Sequence, residues 1–364
     1  MKRLIAAAAL AATRTALAGG GPPTDAYEGI GDAAIDVHVL ADVYVAGNFD
    51  DPKSGQSQLR AFDTTANLPA LGWLRLRIAH EPRARFGFRV DLGIGDTANA
   101  YLAGDPARLA HPQLSRWLSY VGQAFVTVAV TRCLSIDAGK FDTPLGLEDN
   151  EALDNWNYSR SLIFTWDEPS LQSGVRATYV VSPELAFAAF WLNGWDANVV
   201  GGTDMRSYAA AARWKPTGAI EAVAVYAGGL ERGLVDPATL GIRNTLDAYV
   251  TYAVTKSVSL AASGDVAIEQ FEGAAAYARY AARDWLAGAV RVERFGDPHG
   301  LSTGTSQALD EVTATLEGRG VVRGVTMVGR LEYRHDWSNA DVFDHAGALE
   351  RTQQTLTLSL IASR

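Results

Sequence analysis

The sequence predicts an all-β fold: a transmembrane antiparallel β-barrel of about sixteen strands, with long loops on one side and short turns on the other. Three observations carry this expectation. Apolar and polar residues alternate with a period of two along many segments. Long and short connections alternate between those segments. After the N-terminal leader, no stretch approaches the roughly twenty uninterrupted apolar residues of a spanning helix. Strands alternate and so escape that test. An open sheet edge in hydrocarbon would strand backbone hydrogen-bonding groups, so a sheet that spans a membrane must close.

Residues 1–18, "MKRLIAAAALAATRTALA", read as a secretory signal peptide. Lys2 and Arg3 form a positive start, Leu4 to Ala12 an apolar run, and Ala16-Leu17-Ala18 a small-x-small cleavage site. Residues 19–34 then form an N-terminal periplasmic segment, and 35–364 the barrel. Removing the leader takes away Lys2, Arg3 and Arg14 and no acids, so the formal net charge goes from −9 to −12. An acidic exported chain lacks the clustered Lys and Arg that nucleic-acid phosphates require. The one cysteine, Cys133, excludes a disulfide framework and a Cys-based zinc site.

The first strand places Ile35, Val37, Val39, Ala41, Val43 and Val45 opposite Asp36, His38, Leu40, Asp42 and Tyr44. In "WLRLRIA", Leu74, Leu76 and Ile78 oppose Arg75 and Arg77. In "RARFGFRVDL", Phe86, Phe88, Val90 and Leu92 oppose Arg85, Gly87, Arg89 and Asp91. Later segments repeat the rhythm: "EVTATLE" (Glu311–Glu317), "MVGRLEYR" (Met327–Arg334) and "TLTLSL" (Thr355–Leu360). Alanine blurs it in "YAAAARW" from Tyr208 and "GAAAYARYAA" after Glu272, where the neighbouring strands argue for β. Tyr120, Trp191, Trp214 and Tyr333 fall near strand ends, as in an aromatic girdle facing lipid.

The connections follow the same alternation. Gly47–Ala70 is long and "HEPRA" tight; Gly93–Leu114 is long and "TRC" tight; 141–173 is long and "SPE" tight. The remaining pairs continue the pattern, except that "EQFEG" is short for its side. Roughly sixteen strands enclose more room than side chains fill, which implies a water-filled lumen facing the polar side of each strand.

The longest connection, 141–173, carries many charges and no periodic apolar face, and a structureless link of that length is usually functional. Folded inward, it becomes a constriction loop with an acidic surface opposite a basic wall. Opposed charges across a narrow gap set up a transverse field, focused by the low-dielectric walls. The candidate constriction residues are Arg75, Arg77, Arg85, Arg89 and Asp91 on the wall, Glu148, Asp149, Glu151, Asp154 and Arg160 on the loop, and Arg176 just after it. A plainer account pairs these charges with one another as solvated interior residues. For Trp156, Tyr158, Phe164 and Trp166, loop packing competes with a sugar-stacking surface.

"GKFDTPLGLE", "DNWNYSRSLIFT" and "GVRATYVVS" resemble the signature of the OmpL-like family of outer-membrane β-barrel porins. "LRAFDTTAN", "GFRVDLGIGDTA", "NGWDAN", "AYARY" and "LEYRHDWSN" are similar to further family segments in the same order, from about Ile35 to Ile361. Gln172 and Ser173 stand where family members tend to carry His-Thr, and the chain ends on Arg364 rather than an aromatic residue. The resemblance implies a bacterial outer-membrane barrel with porin activity.

The expected function is a porin passing small hydrophilic solutes and ions by diffusion, without catalysis, cofactor or metal. Outer-membrane lipid and the assembly machinery are the expected partners, and a homotrimer is one arrangement open to a porin of this size. A substrate-selective, anion-preferring channel is the alternative, and a non-conducting structural or surface-binding barrel the alternative of another class. His38, His80, His111, His299, His335 and His345 are scattered and form no H-E-x-x-H site or nucleophile elbow.

Overall fold

The structure is a computed structural model and describes residues 35–80, 85–196, 206–232, 240–267 and 270–364. The expected signal peptide and periplasmic segment lie outside the described residues. Sixteen strands close into one antiparallel barrel, in which each strand pairs with its neighbours in sequence and the last returns to the first. Closure joins β1 (Asp36–Asn48) to β18 (Thr352–Ser363) in register from Leu40↔Ser363 to Asn48↔Thr355. The two remaining strands, β16 (Phe343–His345) and β17 (Ala348–Glu350), form a hairpin in the connection that precedes β18.

The two-residue period becomes two faces. On β18, Leu358 is 57% exposed on the outside while its neighbours Thr357 and Ser359 are 2% and 3% exposed on the inside. The same parity turns Leu74 and Leu76 outward and Arg75 and Arg77 inward on β2 (Pro69–His80). Both alanine-rich segments are strands, β8 (Ser207–Trp214) and β12 (Phe271–Arg283). In an up-and-down barrel, alternate connections share one rim. The lengths therefore sort as expected: 49–68, 95–120 and 143–170 on one rim, with short turns such as Arg323-Gly324 on the other. That last turn has φ of 52° and 81° at its two residues, a primed turn that matches strand twist. The "GRGVVRG" link is thus shorter than its sequence implied, because β14 (Gln307–Val322) and β15 (Val325–Ser338) extend into it.

Several expectations change. The Gly93–Leu114 link is not irregular: it holds α1 (Asp96–Gly104) and α2 (Pro112–Ser119), the latter opened by a proline whose missing N–H costs nothing at a helix start. α1 packs inside the barrel, with Tyr101 edge-on to Trp73 at 5.8 Å and the Thr97 hydroxyl donating to the Gly72 carbonyl. Tyr120 follows this insert and packs against the same interior cluster, so it does not belong with the outward Trp191, Trp214 and Tyr333. The inner face is also not uniformly polar. On β7 (Leu185–Leu192), β8 and β9 (Ile220–Arg232) it is built of Ala188, Phe190, Ala209, Ala211, Val223 and Val225, packed against Phe141 and Leu145. Inserted segments bring apolar side chains into the lumen, and the wall beneath them is apolar to match.

Candidate functional site: the loop across the lumen

The connection 143–170 leaves β5 (Leu134–Asp142) and returns on β6 (Leu171–Ser182). Seven strands separate β5 from β13 (Leu286–Asp297) in either direction round the barrel, so β13 is diametrically opposite. The loop reaches it. Glu293 on β13 accepts from the Leu162 amide at 2.7 Å, and Arg291 donates to the Ser159 carbonyl at 2.8 Å. On β15, Glu332 accepts from the Tyr158 and Ser159 amides, Arg334 donates to the Arg160 carbonyl, and Arg330 donates to the carbonyls of Ala152, Asn155 and Asn157. Backbone groups that a loop in water would leave to solvent are here taken up by buried wall charges, the condition for irregular chain inside a membrane-spanning structure.

Local sequence shapes the insert. Ser161 accepts from the Phe164 amide at 3.1 Å and starts α3 (Leu162–Trp166), a serine N-cap. Leu162, Ile163 and Phe164 then bury against Phe271, Phe295 and Phe62. Tyr158 is buried beside Tyr44 at 5.6 Å with its hydroxyl donating to Asp42, and Trp156 lies edge-on to Tyr277. The loop aromatics are therefore packing groups, and Tyr158 and Phe164 present no face for a sugar.

Part of the expected charge pairing assembles. Glu151 accepts from Arg75 at 2.6 Å and from Arg77 at 2.8 Å. Asp91, on β3 (Phe86–Ile94), accepts from Arg77 at 3.0 Å and from Arg89 at 2.6 Å, with Arg75 at 3.7 Å. Three guanidinium groups thus share two carboxylates where the loop meets the β2–β3 wall. Asp149 accepts from the Glu151 amide and fixes the turn that presents Glu151. Burial pushes the Glu151 carboxyl up from the usual carboxylate range, against the pull of Arg75 and Arg77. Burial, with Asp149 and Glu151 adding to it, holds the neighbouring Asp154 well above that range.

Four candidates sit elsewhere. Arg85 is exposed and precedes β3 at the short-turn rim, so correct parity does not bring it to the loop. Arg160 turns back on its own loop, donating to the carbonyls of Tyr158, Asp149 and Asn150 and stacking on Phe62 at 4.7 Å; it braces the insert. Arg176 pairs with Asp137 on the adjacent strand at 2.7 Å and stacks on Phe141. Glu148 crosses to Arg291 at 2.8 Å, far from the β2–β3 arginines. The anchors on the far wall, Arg291 and Glu293, were not among the candidates, although "RVERF" places both on the inward parity.

Glu151 yields a first prediction. Because its folded pKa lies above the ordinary glutamate value of 4.5, it takes up a proton early as pH falls and uncovers Arg75 and Arg77. The anion-to-cation permeability ratio should rise on acidification, starting above pH 4.5. Glu151→Gln should raise that ratio at neutral pH and flatten its pH dependence. Reversal potentials in a salt gradient across a planar bilayer read both effects; equal profiles for the two proteins would remove Glu151 from the ion path.

No curated protein matches the chain in sequence. Among solved structures it is similar to the outer-membrane expressed OmpT of Vibrio cholerae, with TM-score 0.57 and 9% identity over 92% of this chain and 99% of that one. It is also similar to a mutant of Rh. blastica porin, with TM-score 0.52 and 12% identity over 91% of this chain and all of that one. At such identities these likenesses speak for the fold. The family model described as "Putative beta-barrel porin-2, OmpL-like" matches residues 34–363, nearly the whole barrel, and the chain therefore belongs to that family of porin-type β-barrels of the bacterial outer membrane.

Proposed function

We propose that the protein is a diffusion channel for small hydrophilic solutes and ions, with the 143–170 loop as its constriction. The carrying observation is the loop itself: it crosses to the opposite wall and is held there by buried charges rather than lying over the rim. A pinned insert narrows the lumen, which fits passive passage of small solutes. In a planar bilayer the purified protein should give ohmic single-channel steps; a folded protein that carries no current would leave only the non-conducting structural reading.

A second reading, anion preference, rests on a separate observation. Arg77, Arg213, Lys215, Arg279 and Arg319 point into the short-turn half of the lumen with side chains between 20% and 33% exposed. Their partner carboxylates, Asp91, Glu151, Glu221 and Glu317, are 10% exposed or less. Water in this vestibule meets guanidinium edges ahead of the carboxylates, and a ring of cations raises the local concentration of anions. Chloride should therefore outrun potassium, with the ratio declining as salt screens the ring. Cation preference at low salt would reject it.

A further inference from the structure

A second group of charges lies across the lumen from the arginine wall. Asp247 on β10 (Leu240–Ala253) and Asp265 on β11 (Val258–Ala267) are direct cross-strand partners. These two strands stand diametrically opposite β2 and β3. Both side chains point inward and are 0% and 3% exposed. Glu168, at the exit of the inserted loop and 6% exposed, closes on them, and one oxygen from each of the three carboxylates lies within 4.8 Å of the other two. Among the described residues, no hydrogen bond of ordinary geometry reaches either oxygen of Asp265 or Oε2 of Glu168, and the one donor near Asp247 is the Gly146 amide. Buried carboxylates so short of donors are strongly disfavoured as anions, and three together repel one another.

We infer that Glu168, Asp247 and Asp265 form a binding site for a divalent cation of the calcium class, which fastens the exit of the loop to the β10–β11 wall. The donor set is all oxygen and anionic, which suits a hard cation. The three oxygens are close enough to share one ion: each lies within 4.8 Å of the others, and oxygens about 2.4 Å from a calcium ion can be no more than about 4.8 Å apart. Magnesium demands near-octahedral geometry and gives up its water reluctantly, so an irregular set of protein carboxylates favours calcium over it. Three carboxylates, mono- or bidentate, supply three to six of the six to eight oxygens calcium takes, and water can complete the shell. The entry of the loop meets the same point. Gly146 has φ of 87°, and a Cβ there would collide with Oε2 of Glu168, so only glycine leaves room for the carboxylate to sit over the chain. One cation would then tie both ends of the insert to the wall. The site does not depend on the channel reading and would exist in a barrel that carries no current.

The test is calorimetric. Folded full-length protein in detergent micelles, stripped with a chelator, is titrated with Ca2+ and separately with Mg2+, alongside Asp265→Asn and Glu168→Gln. Folding of each is checked by its heat-modifiable gel mobility. The expected result is one Ca2+ per chain that both substitutions abolish, with Mg2+ at least about tenfold weaker. Other surface acids contribute equally to all three proteins, so the difference between isotherms is the readout. Should Asp265→Asn fail to fold, Glu168→Gln, placed on the loop, carries the comparison alone. Identical Ca2+ isotherms in wild type and variants would overturn the site. So would the absence of Ca2+ uptake together with an unfolding temperature that rises on acidification, the mark of carboxyls that share protons instead.

Discussion

Deleting residues 148–161 is expected to raise single-channel conductance severalfold and to weaken ion selectivity. The deletion removes Glu151 from Arg75 and Arg77, Glu148 from Arg291, and the carbonyls that Arg330 and Arg334 bind. The barrel wall itself should persist. Its hydrogen bonds run strand to strand, and the wall arginines keep acid partners of their own: Arg291 keeps Glu311, Arg330 keeps Glu317, and Arg334 keeps Asp336. Residues 143–147 and 162–170 remain to join β5 to β6, which are neighbours, so the shortened connection closes without strain. Water then fills the space the insert held. Selectivity falls because charges once held across a narrow gap act through a wider, better-screened one. An unboiled gel establishes that the variant is still a closed barrel, and bilayer recording gives the conductance. A closed barrel with wild-type conductance would mean that current passes beside the insert without being limited by it.

How far the sequence alone leads can be followed residue by residue. The period of two is enforced by the solvent on each side, so Leu356, Leu358 and Leu360 against Thr355, Thr357 and Ser359 declare the faces of a strand directly. The inward aim of Arg75, Arg77, Arg89 and Asp91 follows from the same parity, and the structure brings all four together. Parity carries no information about distance along the barrel axis, which is why Arg85 qualifies by face and fails by height. Nor does it show which inward charge meets which. Arg176 finds Asp137 one strand away, and Glu148 finds Arg291 well over a hundred residues on. The landing place of the insert depends on such long-range pairs, and no local pattern encodes them. The apolar lumen wall of β7–β9 was obscured for a different reason. Alanine suits either face, so "YAAAARW" signals a strand without saying that its inner side is dry.

Arg330→Ala should unlatch the middle of the loop while leaving the barrel closed. The Arg330 side chain is 1% exposed, paired with Glu317 at 2.8 Å, and donates to the carbonyls of Ala152, Asn155 and Asn157. Glu317 does not become an orphan on its loss, because Arg279 at 3.2 Å and Arg319 at 3.7 Å also pair with it. The cost therefore falls on the loop carbonyls. A hydrogen bond to a charged group contributes about 1.5–3 kcal/mol, and water entering the vacated space offsets part of three such bonds, so about 3 kcal/mol is expected. At about 1.4 kcal/mol per decade, amide exchange at 152–157 should quicken roughly a hundredfold while the strand amides keep their protection. Arg330→Lys should recover only part of the effect, since one ammonium on a flexible stem cannot fork to three carbonyls as a guanidinium does. Current traces should turn noisier in step with exchange, as a loop freed in the middle but held near Leu162 by Glu293 moves in the path of ions. Unchanged exchange at 152–157 would show that the far-wall contacts of Tyr158, Ser159 and Arg160 hold the insert without Arg330.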